Sequence, residues 1–155
     1  MKTIASFEVD HDLVVPGMYI SRVDGDVVTY DLRTRRPNCG DYMSDLTMHS
    51  VEHMLATLLR NGPIGESVIY FGPMGCQTGF YLLVRDGVEP QKVYETLCST
   101  LSEVERQPEM FGQSRRACGN YKNLSLAAAK EECRRYLDVL LSRGASFTYP
   151  KGDEA

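Results

Sequence analysis

Residues 49–62 read HSVEHMLATLLRNG. The stretch holds two of the chain's three histidines, four residues apart, with a glutamate directly before the second. At one hundred degrees per residue with His49 at zero, His53 falls at about +40°, Glu52 at about −60° and Ala56 at about −20°. Val51, Met54, Leu55, Leu58 and Leu59 fall at roughly 140° to 280°, a full i, i+3, i+4, i+7, i+8 stripe that by itself predicts an amphipathic helix. The polar trio occupies a separate face, with Ala56 beside it leaving room. Two imidazoles at i and i+4 can bind one divalent ion, each through a neutral ring nitrogen. Glu52 then stands next to the ion without needing to touch it, where a proton carrier belongs. The plainer alternative is two exposed histidines and a glutamate on a solvated face. With only three histidines in the chain, the metal site is the better account of this pattern.

Working outward, the helix is bounded at roughly Asp45 to Asn61, with Gly62 as its C′ residue. Upstream, DVVTYDLR (26–33) alternates as a strand does and ends in the Pro/Asn/Gly loop RRPNCGD. Downstream, ESVIYFG (66–72) and GFYLLVR (79–85) read as two strands joined by GPMGCQT. PQKVYETLCSTLSEVER (90–106) starts on proline and continues with apolar residues at helical spacing. A polar segment, QPEMFGQSRRACGNYKN, leads to a last helix within LSLAAAKEECRRYLDVLLSRG. Strands and helices are mixed without strict alternation, which predicts an α+β fold, a compact single-domain sandwich of a mainly antiparallel sheet with packed helices. At 155 residues the whole chain, 1–155, is expected to be one domain with a real core.

A net charge of −4 argues against nucleic acid or an anionic membrane surface as partner. No apolar run reaches a membrane-spanning length. The opening MKTIASFEVDHD lacks an apolar h-region, and the five cysteines are an odd number. Both features predict a cytoplasmic protein whose thiols serve as packing, ligands or nucleophiles.

Two histidines make half a tetrahedral site, and the missing ligand separates the candidates. HxxEH is also an inverted zinc-peptidase motif, completed by a downstream glutamate; Glu131 and Glu132 in the last helix are available by spacing. The short chain, with little room for a substrate cleft, disfavours that reading. Cys76, in GPMGCQTGFYL, and Cys118, in ACGNYKNLSLAAAK, each lie next to glycine in a turn, where a sulfur can approach a ligand closely. Cys98 and Cys133 have apolar neighbours at helical spacing and read as packing. Cys39, in a polar loop, has no assigned role.

At these residues the chain resembles the S-ribosylhomocysteine lyases, the autoinducer-2 synthases of bacteria. The resemblance runs from SFEVDH (6–11) through YDLR and RPN (30–38), HSVEH (49–53) and PMGCQTGFYL (73–82) to CGNY (118–121). It implies one divalent metal per subunit, ferrous iron in the cell and replaceable by zinc or cobalt, held by His49, His53 and Cys118 with a fourth position open. It implies Glu52 and Cys76 as the two acid–base residues, and Ser6, His11 and Arg33 as ribose contacts. It further implies a homodimer with active sites at the interface, in which the early SxxxDH segment reaches the partner's metal. The implied reaction moves a sugar carbonyl from C1 to C3 by successive proton shuffles and then expels homocysteine by β-elimination, leaving 4,5-dihydroxy-2,3-pentanedione. Free cysteine titrates near pH ~8.5, so Cys76 would need a nearby cation, the metal or Arg33, to act as a thiolate at neutral pH.

The chain departs from that family pattern in three places. An aspartate associated with the amino-acid end of the substrate commonly stands six residues before the PMGC cysteine; here that position is Tyr70. TRRPNCG replaces a segment with an aromatic residue and a cysteine. The interval from His53 to Cys76 is short by a few residues, which a shorter hairpin would absorb. A peptidase, or a module with a structural metal that adds Cys76 as fourth ligand, are the readings to be excluded.

Overall fold

The structure, a computed structural model, describes residues 1–152. In chain order its elements are α1 (Ala5–Glu8), β1 (Gly17–Asp24), β2 (Val27–Arg33), α2 (Asp45–Arg60), β3 (Val68–Pro73), β4 (Gly79–Arg85), α3 (Pro90–Glu105) and α4 (Leu126–Arg143). The four strands form one antiparallel sheet in the order β1-β2-β4-β3. The α+β architecture expected from the sequence is the one observed.

Strand alternation sorts the sheet into two faces. Val28, Tyr30 and Leu32 of β2 and Phe80, Leu82 and Val84 of β4 join one core with Val51, Met54, Leu55 and Leu59 of α2. Val93, Leu97, Leu101 and Val104 of α3 and Ala129, Cys133, Tyr136 and Leu140 of α4 complete that core. The opposite face of β2 carries Thr29, Asp31 and Arg33, all buried. Polar alternation in a strand ordinarily marks a solvated face; here Asp31 and Arg33 are instead paired, with side chains 1% and 2% exposed.

The helix ends follow their capping chemistry. Ser44 accepts the Thr47 N–H at 3.1 Å and starts α2, Pro90 opens α3, and Ser125 accepts the Ala128 N–H at 3.2 Å to start α4. The expected left-handed glycine after α2 is not observed. Asn61 caps that helix through its backbone N–H, while Gly144, at φ 69°, takes the left-handed position after α4. The sequence reading omitted β1 and the one-turn α1, and the β3 boundary moves from Glu66 to Val68 because Gly65–Ser67 forms a 3₁₀ turn.

The loop after β2 is fastened to α4. Arg35 places two nitrogens on the two oxygens of the buried Glu132 at 2.9 and 2.8 Å and a third contact on Asp41 at 2.7 Å. Arg135 also bonds Asp41, and these bonds, Arg135's first, hold the Asp41 carboxyl below the usual range. Cys133 is packed in the core, and burial pushes its thiol up to about 12, so it behaves as an inert apolar residue.

Two buried tyrosines should respond oppositely to loss of their hydroxyls. Tyr136 donates to the Gly17 carbonyl at 2.7 Å, whereas the Tyr30 hydroxyl is the one buried side-chain polar atom among the described residues without a partner. Tyr136→Phe is expected to cost about 1 kcal/mol, or about 2–4 °C in Tm; Tyr30→Phe should be neutral or stabilising. Thermal unfolding of both variants reads this, and equal losses would refute the assignment.

Candidate active site

Burial of Val51, Met54, Leu55 and Leu59 sets the rotation of α2 about its axis, and the remaining side faces the segment between α3 and α4. His49 and His53 project there, their rings edge to face with centroids 4.7 Å apart. Each ring is tied to a backbone carbonyl of that segment: His49 Nδ1 to Asn123 O at 2.8 Å and His53 Nδ1 to Phe111 O at 2.9 Å. A carbonyl oxygen can only accept, so each Nδ1 is the donor, and in a neutral imidazole the Nε2 lone pair is the one left for a ligand bond. A third tie, Ser125 N–H to Ser50 Oγ at 2.8 Å, fixes the segment's far end to the same helix.

That segment delivers Cys118. Its sulfur stands 3.4 Å from His49 Nε2, and one ligand atom from each of His49, His53 and Cys118 lies within 4.8 Å of the others. Bonds of about 2.0 Å to nitrogen and 2.3 Å to sulfur imply ligand–ligand edges of about 3.5 Å in a tetrahedral site. The Asn120 backbone N–H points at Cys118 Sγ at 3.4 Å, a contact that suits a sulfur carrying negative charge. The donor set, tautomers and spacing all fit a divalent transition metal held by three protein ligands with a position to spare.

The other proposed residues fall into two places. Half-buried Glu52 lines an open surface cavity of about 410 Å³ together with His53, Thr57, Arg60, Tyr70 and Gly112. It does not belong to the ligand cluster. Cys76, exposed in the β3–β4 turn, lies 3.0 Å from Thr78 Oγ1 and 4.0 Å from Arg33 Nη1. Arg33 lies on the face of β2 opposite the core residues Tyr30 and Leu32, and within one chain Cys76 is not among the clustered ligands. Ser6 lies in α1, and His11 turns its Nδ1 onto the Val9 carbonyl at 2.8 Å, a local contact.

The alternatives lose their ligands. Glu132 spends both oxygens on Arg35, Glu131 is exposed, and neither joins the histidines among the described residues. Cys76 likewise is not a fourth member of the cluster. The sequence reading missed Phe111 and Asn123, whose part is played by backbone oxygens that no side-chain motif encodes. Asp31 and Thr78, which surround Arg33, were also missed; the alternation in VVTYDLR was the available signal.

Comparison with known proteins supports the same direction. Residues 4–146 match the family described as S-Ribosylhomocysteinase (LuxS). Similar curated relatives include the S-ribosylhomocysteine lyase of Borreliella afzelii (strain PKo), 40% identical over 146 residues that cover 90% of this chain and 93% of that one. That of Clostridium acetobutylicum is 41% identical, covering 90% and 92%. That of Finegoldia magna is 39% identical over 157 residues, covering 97% of this chain and 100% of its own.

The carbonyl tie to His53 can be tested without touching a ligand. Gly112 has φ +68°, and a Cβ there would lie 3.0 Å from His53 Nδ1. Gly112→Ala should therefore strain the Phe111–His53 bond and weaken metal binding by about 10- to 100-fold. Competition against a chelator of known affinity measures this; an unchanged constant would show that the tie does not orient the ring.

Proposed function

The chain belongs to the S-ribosylhomocysteinase family, and from that premise we propose that it is a divalent-metal-dependent S-ribosylhomocysteine lyase, releasing homocysteine and 4,5-dihydroxy-2,3-pentanedione. The observation that carries the metal dependence is the convergence of His49, His53 and Cys118 with both free histidine nitrogens turned inward. Ferrous iron is the ion the family resemblance implies. When bound, the ion supplies Lewis acidity for the negative charge that each proton shuffle builds on a sugar oxygen.

The chain's own residues then divide the proton transfers. Glu52, beside but outside the ligand cluster, takes and returns protons on one side of the sugar. Cys76 serves the other side as a thiolate, with the Arg33 guanidinium and the Thr78 hydroxyl as its polar neighbours. Elimination can follow once a carbonyl at C3 makes the C4 proton removable.

Cys76, in the β3–β4 turn, stands outside the ligand cluster of its own chain, which supports a homodimer with composite sites at its interface. In that arrangement Cys76, Arg33, Ser6 and His11 of one copy face the metal of the other. The surface around these residues is suited to contact: Tyr70, at the rim of the Glu52–His53 cavity, is 51% exposed, and Tyr81 and Leu83 of β4 are half-buried. We take residues 1–155 as one catalytic domain acting in the cytoplasm; no helix among the described residues is long and apolar enough to cross a membrane. The product would serve as precursor of a quorum-sensing signal.

Metal-loaded protein should release a free thiol from S-ribosylhomocysteine, and absence of release would end this reading. Cys76→Ala and Glu52→Gln should each lower turnover at least about 10²-fold while retaining the metal. Loss of metal from the Cys76 variant would make that residue a ligand, and near-normal turnover of either would remove it from the chemistry.

A further inference from the structure

Arg33 is not held by its neighbours on β2 alone. Its Nε and Nη2 bind Asp31 Oδ1 and Oδ2 at 3.1 and 2.6 Å, and its Nη1 is thereby aimed at Thr78 Oγ1, 2.9 Å away, and at Cys76. Asp31 Oδ2 accepts a second bond, 2.7 Å long, from the hydroxyl of Tyr149. Tyr149 belongs to a carboxy-terminal strap that lies beyond residue 146, where the family match ends. The strap is docked on β1. Ile20 donates its N–H to the Phe147 carbonyl at 2.7 Å, and the Tyr149 ring stacks on Tyr19 with centroids 4.8 Å apart.

We propose that Tyr149 and Asp31 are positioning residues for the reaction, the strap holding Arg33 against Cys76 and so setting the reactivity of that thiol. This rests on the role given to Cys76 above. Two effects act in one direction. The Tyr149 O–H dipole turns its positive end to Asp31 and offsets the carboxylate's repulsion of a thiolate. Its bond also keeps Asp31, and with it the guanidinium fork, from turning away. Burial, then the Asp31 charge, push the Tyr149 hydroxyl above its ordinary range, so it remains a donor at neutral pH. Burial alone would lower Arg33, but the charge and hydrogen bonds of Asp31 outweigh it and keep the guanidinium charged. The ionisable groups around the Cys76–Arg33 contact are thus Asp31 on β2, Tyr149 on the strap, and Tyr81 on β4, whose hydroxyl is pushed above its ordinary range by burial and then by the Asp31 charge.

The test is iodoacetamide labelling of the full-length, metal-loaded protein, followed cysteine by cysteine by peptide mass spectrometry over a range of pH. Exposed Cys39 is an internal reference, and buried Cys133 reports loss of folding. Tyr149→Phe keeps the ring and removes the bond; the Cys76:Cys39 rate ratio at neutral pH should fall about fivefold and its pH profile move upward. Tyr149→Ala should fall at least as far, with kcat reduced and KM little changed in both. An unchanged ratio and profile in both variants, with Cys133 still protected, would overturn the proposal. Because labelling reads the thiol directly, it can succeed even if Cys76→Ala proves active, so failure of the catalytic role and failure of the strap are distinguishable.

Discussion

Helix α2 cannot turn about its axis. Val51, Met54, Leu55 and Leu59 are at most 2% exposed, and withdrawing any one of them from the core would cost about 1.5–3 kcal/mol. The polar contacts on the other face are individually worth about 1 kcal/mol. The apolar stripe therefore decides the rotation, and the histidines are aimed by residues that never touch a ligand. Everything later in the chain adapts to that face: the segment between α3 and α4 closes over it, offers two carbonyls to the rings and brings in Cys118.

The sheet plays a second part, as a partition. Its helix-covered face makes the core, and its other face buries an acid and a base that a strand of this size would ordinarily leave in water. A buried ion pair is poor evidence of stability, since desolvation opposes the attraction. The Asp31–Arg33 pair is more readily understood as orientation. The planar fork of arginine locks on one carboxylate, and the nitrogen left over has a defined direction, toward the β3–β4 turn.

Much of this was legible in the residues. The period-3.6 stripe located α2 and α3 nearly to the residue, and GFYLLVR coincides with β4. β1 was missed because GMYISRVD carries charge at its outer end, where the burial fades. Its signal was the Gly-Asp pair at 25–26: these two residues make the hairpin turn to β2, with Gly25 at φ 58°. His49, Glu52 and His53 form a local pattern, but Cys118 lies 69 residues from His49; its glycine-flanked turn made it one of two candidate sulfurs, and only the family resemblance chose it over Cys76. The carbonyls of Phe111 and Asn123 are invisible to any reading of side chains. The Tyr149–Asp31 bond spans 118 residues and joins a strap that no periodicity announces.

The protein's ion pairs differ in their access to solvent. Arg22–Asp24 and Arg85–Asp26, around the β1–β2 turn, are each more than half exposed, and dissolved electrolyte weakens such pairs readily. Asp31 and Arg33 stand where no mobile counterion can come between them. The field they cast toward the β3–β4 turn has its source in the folded chain, so raising ionic strength loosens the hairpin tip long before it alters that field.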